Sequence, residues 1–254
     1  KKEIPSPNDE YFIYQVLVAH FPMDAQPDES FADRLEDYLI KALREAKVNT
    51  SWSDPDEFYE NKTVEFARNI LSEESEFPEN FIAFMERIIP HGIINSLTQL
   101  ILKNTVPGVP DTFQGTEYWN LSFVDPDNRR AVDFDMLSKN LDEISENYES
   151  DAKTLADGLW QNPLDGRIKH FVNWLTLQER VKHENLFLKG SYKPLKIRGK
   201  YKKHVIAFHR NYEQEELIVV LPLNTANLPV DVDWEDTRIE LPETEAKEME
   251  NCLT

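Results

Sequence analysis

The residues best suited to chemistry crowd into one stretch. Pro107-Gly108-Val109-Pro110-Asp111-Thr112-Phe113-Gln114-Gly115-Thr116-Glu117-Tyr118-Trp119 is followed closely by Val124-Asp125-Pro126-Asp127-Asn128-Arg129-Arg130. Prolines and glycines constrain the backbone path, and aromatic rings alternate with carboxylates, amides and guanidinium groups. That mixture suits a sugar: rings stack on the apolar face of a pyranose, and paired polar groups exchange hydrogen bonds with its hydroxyls. The candidates are Asp111, Gln114, Glu117, Trp119, Asp125, Asp127, Asn128, Arg129 and Arg130. A plainer reading stands beside this one, because Asp and Asn next to Pro and Gly commonly just build turns. Gln114 and Glu117 suit bracing of the loop as well as contact with a ligand. A neutral sugar needs no cation, so at least one of Arg129 and Arg130 is expected to pair with Asp125, Asp127 or Asp133. One of the two then remains for the ligand.

A second group lies upstream. Lys41, Arg44 and Lys47 are spaced three apart and share one side of a helix, with Trp52 and Tyr59 close behind in sequence. A cation row beside a tryptophan can face a cleft, but a charged row is more often a solvated face. Trp160, Trp174 and Trp234 read as packing residues. The six histidines show no metal-ligand spacing and the single Cys252 cannot build a cysteine-based metal site.

The elements that must position these groups can be read from periodicity. Residues 9–103 are helical in pattern. Over Ser30–Lys47 the residues Phe31, Leu35, Tyr38, Leu39, Ala42, Leu43 and Ala46 form one apolar stripe. Asp54 as N-cap, Pro55 and Glu57 mark another helix start, and Pro78 opens a further one. Residues 104–133 show no helical period. Helical pattern resumes over Phe134–Asn147, Asp151–Trp160 and Gly166–His183. After Gly190 the strands His204–His209 and Glu216–Leu221 flank a turn at Arg210–Gln214, and Arg238–Leu241 is a third strand.

Composition bounds the function. The 254 residues carry a net charge of −19, from 28 basic and 47 acidic side chains, which disfavours nucleic acid and anionic membranes and leaves a neutral substrate unpenalised. No stretch approaches the ~20 apolar residues of a spanning helix. One cysteine permits no internal disulfide, which suits a cytoplasmic location. The basic stretch Lys182–Arg210 reads as the solvated face of a small sheet. The chain begins at Lys1 without a methionine, which reads as an internal cut in a longer protein.

Pro107–Trp119 resembles the segment around the eighth barrel strand of the alpha-amylase superfamily, glycoside hydrolase family 13. Val124–Arg130 resembles, within it, the maltooligosyltrehalose synthase family. Further matches to that family follow in order along the chain: Asn8–Tyr11 with Tyr14-Gln15, Lys41–Lys47 with Thr50-Ser51-Trp52, Gly166–Lys169, and Trp234–Arg238. The resemblance implies intramolecular transglucosylation, in which the reducing-end α-1,4 linkage of a maltooligosaccharide becomes α,α-1,1 with no metal or organic cofactor. It also implies a (β/α)8 barrel with an aspartate nucleophile, a glutamate acid/base and a stabilising aspartate on strands four, five and seven. The family's seventh-strand motif is His-Asp followed by Thr-Lys-Arg, and none of the histidines here precedes an aspartate. The chain is therefore expected to lack the catalytic residues and to be inactive alone. Its partners would be the maltooligosaccharide and a missing N-terminal barrel of the same polypeptide.

The expected fold is α+β: a mainly helical subdomain with the end of a (β/α)8 barrel, then a small antiparallel β module. The expected divisions are 1–103, 104–190 and 191–254, the last truncated. The eighth strand near Thr105–Phe113 is expected to be irregular, its neighbours lacking. A stand-alone maltooligosaccharide-binding module and a purely structural domain are the competing readings.

Overall fold

The computed structural model describes residues 3–28, 30–72, 74–229, 231–242 and 249–253. Contacts group the chain into two compact units, residues 1–87 with 120–131 and residues 88–119 with 132–254. This division differs from the three sequence segments, because the sheet and the later helices pack in one unit while the long loop is shared out.

The first unit holds α1 (Pro7–His20), α2 (Phe31–Ala46), α3 (Glu57–Ile70) and the opening turns of α4 (Phe77–Thr105). Leu35, Leu39 and Leu43 of α2 are buried, as the stripe predicts, along with Ile13 and Leu17 of α1 and Val64 and Ala67 of α3. The α2 helix stops at Lys47, whose φ of 56° is left-handed. The start of α3 falls two residues later than the sequence signals place it. Ser51 and Asp54 close a turn on each other, and Asp56, not Asp54, caps the helix by accepting from the Tyr59 N–H. Pro78 lies in the first turn of α4, where its missing N–H costs nothing.

The second unit holds the rest of α4, then α5 (Phe134–Gln161), α6 (Arg167–Lys182) and α7 (Glu184–Lys189). Non-helical backbone at Asp151 kinks α5 at the break expected from the sequence; its carboxylate accepts from the Thr154 N–H and restarts the helix. Leu100, Ile144, Leu159, Ile168, Phe171, Val172 and Leu175 make the helical core. The strands are β1 (Ser191–Pro194), β2 (Lys196–Arg198), β3 (Val205–Tyr212), β4 (Glu215–Pro222) and β5 (Arg238–Glu240). They form a three-stranded sheet in the order β1-β3-β4 and a β2-β5 pair, all antiparallel. The turn between β3 and β4 is tighter than expected. Only Glu213 and Gln214 lie outside the strands, and Glu213 takes a φ of 54° to make the reversal.

The basic stretch ends in a correction. Arg210 is no solvated residue: it is 1% exposed, and its guanidinium donates to the carbonyls of Ser191, Thr105, Leu186, Phe187 and Gly190. Several of these carbonyls close the ends of α4 and α7, where the helix dipoles favour a cation. Burial and the nearby charge of Arg180 hold its pKa below the ordinary arginine value. Residues 106–133 contain no strand, only a 3-10 turn at Asp127–Arg129. No described helix is long and apolar enough to cross a membrane.

Candidate functional site

Ten of the predicted site residues fall in the first unit. There α2 is a platform for the segment 120–131. Phe123 is buried against α1 and α2, stacked on Tyr38 with ring centroids 5.1 Å apart and tilted against His20 at 4.6 Å. Next to this plug Asp127 gathers the loop. Its Oδ2 accepts from the Phe123 N–H at 2.8 Å and from Arg34 Nη1 at 3.1 Å, and its Oδ1 faces Arg130 Nε at 3.3 Å. Arg129 pairs with Asp125, so both arginines are engaged with acids where at least one was expected. Lys41 donates to the Asp125 carbonyl, which ties α2 to the same loop. Asn128 sits in the 3-10 turn, half-buried.

The upstream cations divide their tasks. Lys41 grips the loop and Lys47 ends the helix, exposed. Arg44 forms a fork on Glu60, with Nε 2.8 Å from Oε1 and Nη2 2.7 Å from Oε2. Its guanidinium carbon lies 5.0 Å from the centre of the exposed Trp52 ring. The Arg44 hydrogen bonds hold the Glu60 carboxyl below the ordinary glutamate range and raise Arg44 in turn. Tyr59 turns inward: its hydroxyl donates to Asp9 and accepts from the Ser6 N–H and the Asn49 amide, which leaves it part of the core.

The other four predicted residues lie in the second unit. Asp111 and Gln114 are exposed on the loop 106–119. Trp119 is anchored, its indole N–H donating to the Pro163 carbonyl at 2.7 Å. Lys169 of α6 reaches under the loop, donates to the Tyr118 carbonyl at 3.0 Å and sits 5.5 Å from the centre of the Trp119 ring. Burial and the charge of Lys103 lower the Lys169 pKa, with Glu117 opposing them. Burial likewise lowers that of His170, whose ring lies 5.3 Å from Tyr118. At the loop entry Arg180 donates to the carbonyls of Asn104 and Gly108 at 2.8 and 2.9 Å.

Sequence reasoning missed Arg34, His20, Tyr38 and Phe123 in the first unit, and Lys103 and Arg180 in the second. Arg34 meets Asp127 across 93 residues and Arg180 meets Asn104 across 76, separations that no local pattern signals, whereas Lys103 reaches Thr112 only 9 residues on. Lys169 did stand in a quoted motif, Gly166–Lys169, but carried no assigned role. Each unit sets a cation against a tryptophan ring, Arg44 at Trp52 in the first and Lys169 at Trp119 in the second.

No protein-family model matches the chain. It is 29% identical over 232 residues to a provisionally named maltooligosyl trehalose synthase of Mycobacterium tuberculosis, covering 91% of this chain and 27% of that protein. Among solved structures, the maltooligosyltrehalose synthase from Arthrobacter ramosus is 32% identical with a TM-score of 0.73, over 91% of this chain and 28% of the other. A second maltooligosyl trehalose synthase structure is 34% identical with a TM-score of 0.72, over 87% of this chain and 28% of that one. The resemblance read from the sequence motifs is thus borne out across nearly the whole chain. The chain spans about a quarter of the length of the relatives it matches.

Proposed function

We propose that this chain works as the C-terminal part of a maltooligosyl trehalose synthase, lining the substrate cleft of an enzyme whose catalytic carboxylates lie elsewhere. The likeness to the Arthrobacter ramosus enzyme, 32% identity and a TM-score of 0.73 across 91% of the chain, carries this reading. The reaction is intramolecular transglucosylation of a maltooligosaccharide, leaving a trehalose end. In this reading residues 104–190 complete a (β/α)8 barrel, and Thr105–Phe113 occupies the place of its eighth strand. Loops that follow barrel strands form the active face, so Asp111, Gln114, Glu117 and Trp119 belong at the cleft, as do Asp125, Asp127, Asn128, Arg129 and Arg130. The chemistry of the residues agrees. Asp127 is held by Arg34, Arg130 and a backbone N–H, which makes it a fixed acceptor for sugar hydroxyls. The net charge of −19 neither attracts nor repels a neutral glycan.

The test uses maltohexaose and the product of the complete open reading frame, followed by proton NMR. The expected result is loss of the reducing-end signal with growth of an α,α-1,1 anomeric signal. A net gain of reducing ends would mean hydrolysis and overturn the reading. The 254-residue chain alone should convert nothing; conversion by it would sink the placement of the carboxylates outside it.

A further inference from the structure

The connection from α2 to α3 is bonded more heavily than a linker requires. Thr50 Oγ1 donates to Glu60 Oε1 at 2.5 Å and accepts from the Asp56 N–H at 3.0 Å. The Ser51 N–H donates to the Asp54 carbonyl at 3.2 Å, and the Asp54 N–H donates to Ser51 Oγ at 3.1 Å. A segment this well held still presents Trp52 at its tip, 58% exposed. Beneath the indole lies Arg44, whose plane is set by its two bonds to Glu60, a carboxylate only 2% exposed. The guanidinium carbon is 5.0 Å from the ring centre, so one face of the indole is covered by the cation and the other is left to solvent.

We propose that Trp52 is a stacking platform for a glucose ring of a maltooligosaccharide, that Arg44 supplies N–H groups to its hydroxyls, and that Glu60 is the residue positioning both. The proposal rests on the reading of the chain as part of a maltooligosyl trehalose synthase. Three observations select a neutral sugar. The Arg44–Glu60 pair cancels its own charge, so the site has little to offer an anion. Arg44 Nη1 makes no hydrogen bond to the described residues and remains available beside the ring. Around the tip Ser53, Asp54 and Asp56 are exposed and offer oxygen acceptors to sugar hydroxyls, beside the exposed apolar side chains of Val48 and Phe58. Because the loop is already ordered, binding would cost little conformational entropy.

The test titrates the 254-residue chain with maltoheptaose and follows the indole N–H cross-peaks of its five tryptophans by NMR, with W52F assigning the peak. The Trp52 peak should move saturably. W52A should weaken binding about tenfold, the equivalent of about 1.4 kcal/mol, while W52F retains most of the affinity. E60Q and R44K should each weaken binding and shift the free Trp52 peak, since neither can hold the fork that sets the guanidinium plane. A merely structural role would leave the affinity of these folded variants unchanged, and that outcome overturns the proposal. So does an unmoved Trp52 peak at saturation, wild-type affinity in W52A, or competition by sulfate. The two readings fail separately. Isomerisation by the complete protein with a KM unaltered in W52A removes this platform only. Trp52-dependent binding without isomerisation removes the enzyme assignment only.

Discussion

Glu60 shows how one buried carboxylate can govern its surroundings. It accepts from Arg44 on both oxygens and from Thr50 on one, and these bonds favour its charged form. Its folded pKa therefore lies below the ordinary value of 4.5, and the first cause is the Arg44 hydrogen bonding. The stabilisation it contributes is complete above that ordinary value and is lost as the pH falls through the depressed folded one. Urea unfolding between about pH 6 and pH 3 should show stability falling with acid, and E60Q should flatten that slope. An unchanged slope in E60Q would place the titration on another group. Arg210 is the inverse case, a buried cation with carbonyl partners and no described acid, stabilised by converging backbone dipoles. The i,i+3 spacing of Asp127 and Arg130 makes their pairing legible in the sequence. Nothing local announces the Arg210 cluster, because its acceptors come from two distant stretches, Thr105 and residues 186–191.

Among the elements, α6 decides where the loop 106–119 runs. Its first residue follows Gly166, which has a φ of 81° and stands against the ring of Tyr118 and the backbone of Trp119. A Cβ there would meet Tyr118 Cδ1 at 2.7 Å and the Trp119 nitrogen at 3.2 Å. Lys169, one turn on, then holds the Tyr118 carbonyl from below. Gly166→Ala should cost about 1–3 kcal/mol, from the left-handed backbone and the displaced ring together. It should also alter the environment of Trp119 in near-ultraviolet circular dichroism. A variant with wild-type unfolding midpoint and spectrum would show that the loop is not set by this approach. Periodicity predicts α6 itself well, since Ile168, Phe171, Val172 and Leu175 fall on its buried side. The weaker sequence estimates concern starts and turns, as at Asp56 and Glu213, where competing local hydrogen bonds choose among neighbouring residues.

At the scale of the whole molecule, 47 acidic against 28 basic side chains leave a net charge of −19. Such an excess repels itself in the compact state, and salt screens it. Raising ionic strength from about 0.01 M to 0.15 M shortens the Debye length from about 30 Å to about 8 Å, and the thermal midpoint should rise. A midpoint that falls would mean that the specific ion pairs outweigh the repulsion. The sequence by itself determined the helical segments, the late change to antiparallel strands, and the likeness to maltooligosyl trehalose synthases. These depend on side-chain periodicity and on ordered motifs, which neighbouring residues encode. Tertiary structure alone decided how the candidate site is distributed. It set Tyr118 and Trp119 against α6 and tied Asp125 and Asp127 to α2, turned Tyr59 inward, and set Arg44 beneath Trp52. Those choices follow from burial and from hydrogen bonds between distant segments, and such bonds exist only once the chain has folded.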